Sequence, residues 1–168
     1  MIRWAIPEDA EALSELLQRI FTKYPQAGGK PDDWTLERTK AILEHRPAIM
    51  LNEEKGAILS AVYAAITESI EGKTAQIIFG IADLDLPQKP SDKLSTHSLV
   101  LDGAAKPMAE WLISQGVTIA YTYQEKNTAG QQYMEELGCN FDALSTDRVS
   151  CEFDLSAFVT AIDNRKKR

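Results

Sequence analysis

The sequence predicts one α/β (α+β) domain, and three stretches carry that prediction. Residues 117–123, VTIAYTY, are β-branched and aromatic with partial alternation, the pattern of a half-buried strand; residues 127–138 follow as a helix, with Asn127 or Thr128 as N-cap and Gly138 as its stop. Residues 48–84 hold three apolar runs separated by polar, glycine-containing turns at 52–56 and 71–73, as hairpin-linked strands require. Ala10, Leu13, Leu16, Leu17, Ile20 and Phe21 recur at spacings of three and four, which places one apolar stripe on a helix over 7–24. A chain of 168 residues forms one core of ordinary size and is short for two domains.

Taken in order, residues 2–6 read as a first strand, and Pro7 with Glu8 and Asp9 opens the first helix, where proline and acids are favoured. Residues 25–31, with Gly28 and Gly29 between two prolines, break it. A second helix is expected over 33–45, capped by Asp32 or Asp33 and ended by Pro47. Strands 48–51 and 57–66 come next, then 74–84, whose Ile77, Ile78, Phe79 and Ile81 form the near-continuous apolar run of a central strand. The helix after it carries Val100, Ala104, Met108, Trp111 and Leu112 on one stripe, with Ser95 or Thr96 as cap and Gly116 as stop; Gly103 and Pro107 predict a weak or kinked middle. Beyond Gly138, residues 139–144 and 148–155 read as a hairpin, 156–164 as a closing helix, and the basic residues 165–168 as a solvated, frayed tail.

Composition excludes several functions. The formal charge is −7 despite the basic tail, which opposes nonspecific binding to nucleic acid. No apolar run approaches bilayer length, and acidic residues stand where a signal peptide has its apolar core, so a cytoplasmic protein without a membrane segment is expected. Cys139 and Cys151 are too few for a disulfide scaffold and are expected as buried thiols, and two histidines argue against a metal site.

Residues 127–139, NTAGQQYMEELGC, resemble the C-terminal half of the GNAT family of acetyl-CoA-dependent N-acyltransferases. The family pattern is an Asn, then a short helix ending in Tyr-Glu-Lys-(Leu or Ile)-Gly-Phe; Met134, Glu135, Glu136, Leu137, Gly138 and Cys139 match it with no gap from Asn127. The order of elements fits the family over nearly the whole chain. The resemblance implies a single domain whose central mixed, mostly antiparallel sheet is flanked by helices. It also implies transfer of an acetyl group from acetyl-CoA to an amine, with the backbone at Phe79, Gly80 and Ile81 holding the thioester oxyanion. In the family, a loop resembling Arg-x-x-Gly-x-Gly then opens a helix whose N–H groups bind the pyrophosphate.

Two departures bear on activity. The family's general-acid tyrosine falls on Met134, whose thioether donates no proton, while Tyr133 lies one residue earlier, about 100° around the helix. The connection 83–95 contains no glycine. Lys93, Ser95, Thr96 and Asn127 remain as cofactor-binding candidates, with Lys89 and His97 nearby, but Asp83, Asp85 and Asp92 bring repelling charge to the same loop. Asp83 is the candidate base, with Asp85 and Glu68 as others, and Tyr133 and Tyr121 are the candidate acids. His97 is expected to face solvent. Together with the acidic surface, the departures open a second reading: a GNAT-fold protein without catalysis that binds a protein partner, as viral and accessory proteins do.

Overall fold

The computed structural model describes residues 1–88 and 95–166. In chain order the elements are β1 (Ile2–Trp4), α1 (Ala10–Lys23), α2 (Leu36–Glu44), β2 (Ala48–Glu54), β3 (Ala57–Ser69), β4 (Gly72–Ala82), α3 (Thr96–Ser114), β5 (Ile119–Glu125), α4 (Ala129–Glu136), β6 (Asp142–Ala143), β7 (Arg148–Asp154) and α5 (Leu155–Lys166). The strands form one sheet in the order β1-β2-β3-β4-β5-β7-β6. Every neighbouring pair is antiparallel except β4 and β5, which the crossover through α3 makes parallel. No described helix is long and apolar enough to cross a membrane.

Side chains alternate across the pleat, so each face of the sheet builds its own core. On one face, α1 and α2 bury Leu13, Leu16, Leu17, Ile20 and Leu43 against Ile49, Leu51, Ala61 and Ile81. On the other, α3, α4 and α5 bury Leu101, Met108, Leu112, Met134 and Ile162 against Val62, Ala75 and Ala120. The strand β4 serves both. Ala64 is paired with Ile77 and Tyr63 with Phe79, so Ile78 is an extra residue with no counterpart on β3. This bulge reverses the phase of the strand: Ala75 and Ile77 face the α3 side, whereas Phe79 and Ile81 face α1 and α2. The unbroken apolar run in the sequence thus reflects a strand that feeds two cores in turn.

Several expectations are corrected. Helix α2 is capped by Thr35, whose hydroxyl accepts from the Arg38 N–H at 3.3 Å, because Asp32 and Asp33 are taken up in a preceding 3-10 turn, Pro31–Trp34. The strand expected over 139–144 shrinks to Asp142–Ala143.

The largest correction concerns the C-terminus. Arg165 is not solvated: α5 extends to Lys166, and the Arg165 side chain is 7% exposed. Its Nη2 donates to Asp102, a fully buried carboxylate on α3; its guanidinium lies 5.1 Å from the Tyr133 ring; and its Nη1 stands 3.5 Å from Glu136. The Tyr133 hydroxyl donates to the same Asp102 oxygen at 2.5 Å. The cluster therefore joins α3, α4 and α5. Lys167 and Arg168 lie outside the described residues. Removing one member of a buried ion pair leaves the other charge uncompensated, so Arg165→Ala is expected to lower unfolding free energy by about 3–5 kcal/mol. Urea denaturation checks this, and an unchanged midpoint contradicts it.

Candidate functional site

The parallel strands β4 and β5 are paired only from Thr74 with Ile119 to Ile77 with Thr122. The Thr122 hydroxyl donates to the Ile77 carbonyl at 3.2 Å and secures this last rung. Past it, β4 continues along β3 to Ala82 while β5 pairs on with β7 to Glu125, so the two strands part. The bulge at Ile78 lies at the start of the split.

Two hollows open into the gap. One, of about 290 Å³, runs toward α3 and α4 and is lined by Gly80, Ser95, His97, Leu101, Gly130 and Tyr133, among others. The other, of about 390 Å³, opens beneath the α1–α2 connection, between β4, β5 and the start of β7. Both are lined by Ala27, Gly80, Ile81 and Gly130, so the two hollows adjoin at the split. Two glycines let its walls approach. Gly28 has φ +80°, and a Cβ there would lie 2.7 Å from the Thr128 methyl, so only glycine lets this connection rest on the start of α4. A Cβ on Gly130 would lie 2.6 Å from the Gln124 side-chain oxygen, which also accepts from the Thr128 hydroxyl at 3.1 Å.

No protein-family model matches the sequence, and no curated protein sequence does. Solved structures do. The PaiA N-acetyltransferase of Thermoplasma acidophilum in complex with coenzyme A superposes with a TM-score of 0.72 at 11% identity, covering 92% of this chain and 98% of the other. An N-acetyltransferase from Staphylococcus aureus Mu50 gives 0.66 at 15%, with the same coverage. The ribosomal-protein-S18-alanine N-acetyltransferase of Escherichia coli gives 0.64 at 14%, covering 92% and 93%. The chain has the GNAT fold. At these identities the likeness is one of fold, and each site residue stands on its own geometry.

Within the GNAT frame, Phe79, Gly80 and Ile81 fall on β4 at the split, and all three line the second hollow. Asn127 is exposed at φ +64° and lines neither hollow; with Gln131 and Glu135 it lines a surface depression that shares Gln132 and Glu136 with the first of them. Lys93 lies outside the described residues, as do Lys89 and Asp92. Ser95 and Thr96 do sit at the α3 N-terminus, where two backbone N–H groups already have protein partners while the buried Thr96 hydroxyl has none among the described residues. The Ser95 hydroxyl accepts from the Ser98 N–H at 3.0 Å, and the Thr96 N–H donates to Gln88 Oε1 at 2.7 Å. His97, expected in solvent, holds the other end of that amide. Its Nε2 is 2.9 Å from the Leu86 carbonyl, which can only accept, so Nε2 carries the proton and Nδ1 accepts from Gln88 Nε2 at 2.8 Å.

The catalytic candidates are placed away from the split or committed to other groups. Asp83 is gripped by Arg19 at 3.0 and 3.2 Å. Lys23, Tyr24 and Arg19 hold the Asp85 carboxyl well below its usual range, so it is a poor base. The same ion pairs cancel the negative charge that Asp83 and Asp85 bring to the loop. Glu68 lies at the far end of β3, beside the turn into β4. Tyr121 stands on the paired part of β5 and packs edge-on against Tyr123, with ring centroids 5.5 Å apart. Tyr133 lines the α3–α4 hollow, but its hydroxyl is given to Asp102, and burial, reinforced by that carboxylate, pushes its pKa well above the usual phenol value. Met134 is buried in the core. The thiols offer no alternative nucleophile, since burial pushes Cys139 up to about 12 and raises Cys151 as well. Among the described residues no cluster of acids, histidines or cysteines is fit to hold a metal.

Two charged residues at the split escaped the sequence reading. Glu125, the last residue of β5, and Arg148, the first of β7, both line the second hollow and are paired across the strands. The sequence puts Arg148 at the start of an expected strand but ends the strand before α4 at Tyr123, so nothing in it singles out Glu125.

The seated Gln88 amide competes with any anion at the α3 N-terminus. A neutral hydrogen bond is worth about 0.5–1.5 kcal/mol net, so Gln88→Ala is expected to tighten binding of an anion at that terminus, with inorganic pyrophosphate as the probe, by about two- to tenfold. Titration calorimetry of the two proteins checks it, and weaker binding by the variant contradicts it.

Proposed function

We propose that the protein is an acetyl-CoA-dependent N-acyltransferase that acts on an amine at the β4–β5 split. The observation that carries this reading is the split itself. Two hollows adjoin there at Gly80 and Gly130, which suits a reaction joining a long thioester to a separate amine. The thioester arm enters from the α3–α4 side, and its carbonyl oxygen is met by backbone N–H on the bulged stretch of β4, where β5 no longer pairs. The amine enters from the other side. Glu125 is the carboxylate placed to take its proton, in the role first sought at Asp83.

The nitrogen attacks the thioester carbon, the N–C bond forms, and the C–S bond breaks. Tyr133 does not protonate the departing sulfur, because its hydroxyl is bound to Asp102. Thiols ionise near pH 8.5, so the thiolate leaves without a donor and takes its proton from solvent. The free thiols suit a reducing, cytoplasmic compartment.

Calorimetry with acetyl-CoA should show micromolar binding, about −8 kcal/mol, and amine-dependent thiol release should follow. Glu125→Gln should leave that affinity unchanged and lower kcat on the order of a hundredfold. Absence of heat at millimolar acetyl-CoA would overturn the reading. It would favour the second one, a partner-binding protein without catalysis, which the partnered N–H groups at the α3 N-terminus and the committed Tyr133 hydroxyl support.

A further inference from the structure

The amine-side hollow differs in charge from the protein around it. The chain carries −7, yet the ionisable groups lining this hollow balance: Lys30 and Arg148 against Asp33 and Glu125. Asp33 is shared with Arg38 at 3.4 Å. Glu125 and Arg148 are cross-strand neighbours, a position that sets Cβ atoms roughly 5 Å apart, yet they form no ion pair with each other. Neither is within ion-pair distance of any other described residue. One carboxylate and one guanidinium are thus left side by side in the lining of this hollow.

Different amines make different demands on such a site. A polyamine or an aminoglycoside needs an excess of carboxylates, and Lys30 and Arg148 repel it. A simple arylalkylamine needs a carboxylate and gains nothing from a guanidinium. A zwitterion with ammonium and carboxylate on one carbon uses both, and the arginine fork suits a carboxylate in particular. The apolar wall adds a further constraint. Trp34 and Phe79 meet edge to face with centroids 5.2 Å apart and offer ring surface to an apolar side chain.

We infer that the amine acceptor is a free α-amino acid with an aromatic or large aliphatic side chain. Its ammonium is directed to Glu125, its carboxylate to Arg148, and its side chain to Trp34 and Phe79. Transfer would move the acetyl group from sulfur to the amino nitrogen; Glu125 takes the ammonium proton, the thiolate is protonated by solvent, and the products are an N-acetyl amino acid and coenzyme A. This rests on the acyl-transfer reading, but the ligand preference can be measured without the cofactor.

The test is competition saturation-transfer NMR on the cofactor-free protein, using L-phenylalanine, L-phenylalaninamide, phenethylamine and spermidine. L-phenylalanine should bind at least tenfold tighter than the amide or phenethylamine, which lack the carboxylate, and spermidine should bind weakest. Arg148→Gln should abolish the preference for the carboxylate while leaving the amide within twofold. Arg148 is exposed, so the variant should keep its melting temperature. Equal or tighter binding of the amide, tighter binding of spermidine, no amino-acid binding at all, or a preference that survives Arg148→Gln overturns the inference. If L-phenylalanine binds as expected while acetyl-CoA gives no heat, the acyl-transfer reading fails and the ligand assignment stands.

Discussion

The single extra residue at Ile78 is the constraint on which the site depends. Without it, Ala75, Ile77, Phe79 and Ile81 would all face one core, and the central strand could not supply buried side chains to both layers of helices. With it, β4 turns just where its pairing with β5 ends, and Thr122 anchors the final rung. The gap that opens is flanked on one side by β4 backbone with no second strand to pair with. Such backbone is costly to leave dry and is well suited to a ligand that can accept its N–H groups.

A cleft between diverging strands needs walls that hold their distance. Gly28 resting on Thr128 brings the α1–α2 connection across to α4, and Gly130 against Gln124 brings α4 onto β5. The buried Asp102, Tyr133 and Arg165 then tie α4 to α3 and α5 from behind. The cluster is expensive, since Asp102 Oδ2 and Arg165 Nε are buried without a partner among the described residues. The Tyr133 hydroxyl thereby belongs to the support of the wall.

Local signals made most of the fold legible. The stripe of α1 follows from periodicity and appears as read, and of the paired cap alternatives, Ser95 or Thr96 and Asn127 or Thr128, the structure uses Ser95 and Thr128. What was hidden depends on distant parts of the chain. Consecutive apolar residues around Ile78 conceal a change of phase, because Ile77 packs into one core and Phe79 into the other while Ile78 between them is 40% exposed. Arg165 meets Asp102 across 63 residues, and no composition rule distinguishes a basic tail that fastens a helix from one that frays. Glu125 and Arg148 become neighbours only through the β5–β7 register. Gln88 and Thr96 are bonded across eight residues of a connection whose sequence shows merely that glycine is lacking.

The central claim is that the β4–β5 split is where a coenzyme A thioester binds, and amide chemical shifts during titration with coenzyme A test it most directly. The account predicts perturbations at Phe79, Gly80, Ile81, Gln124 and Thr96, together with the Gln88 side-chain amide as it is displaced. Saturating perturbations confined to other surfaces, or none at millimolar ligand, would contradict it.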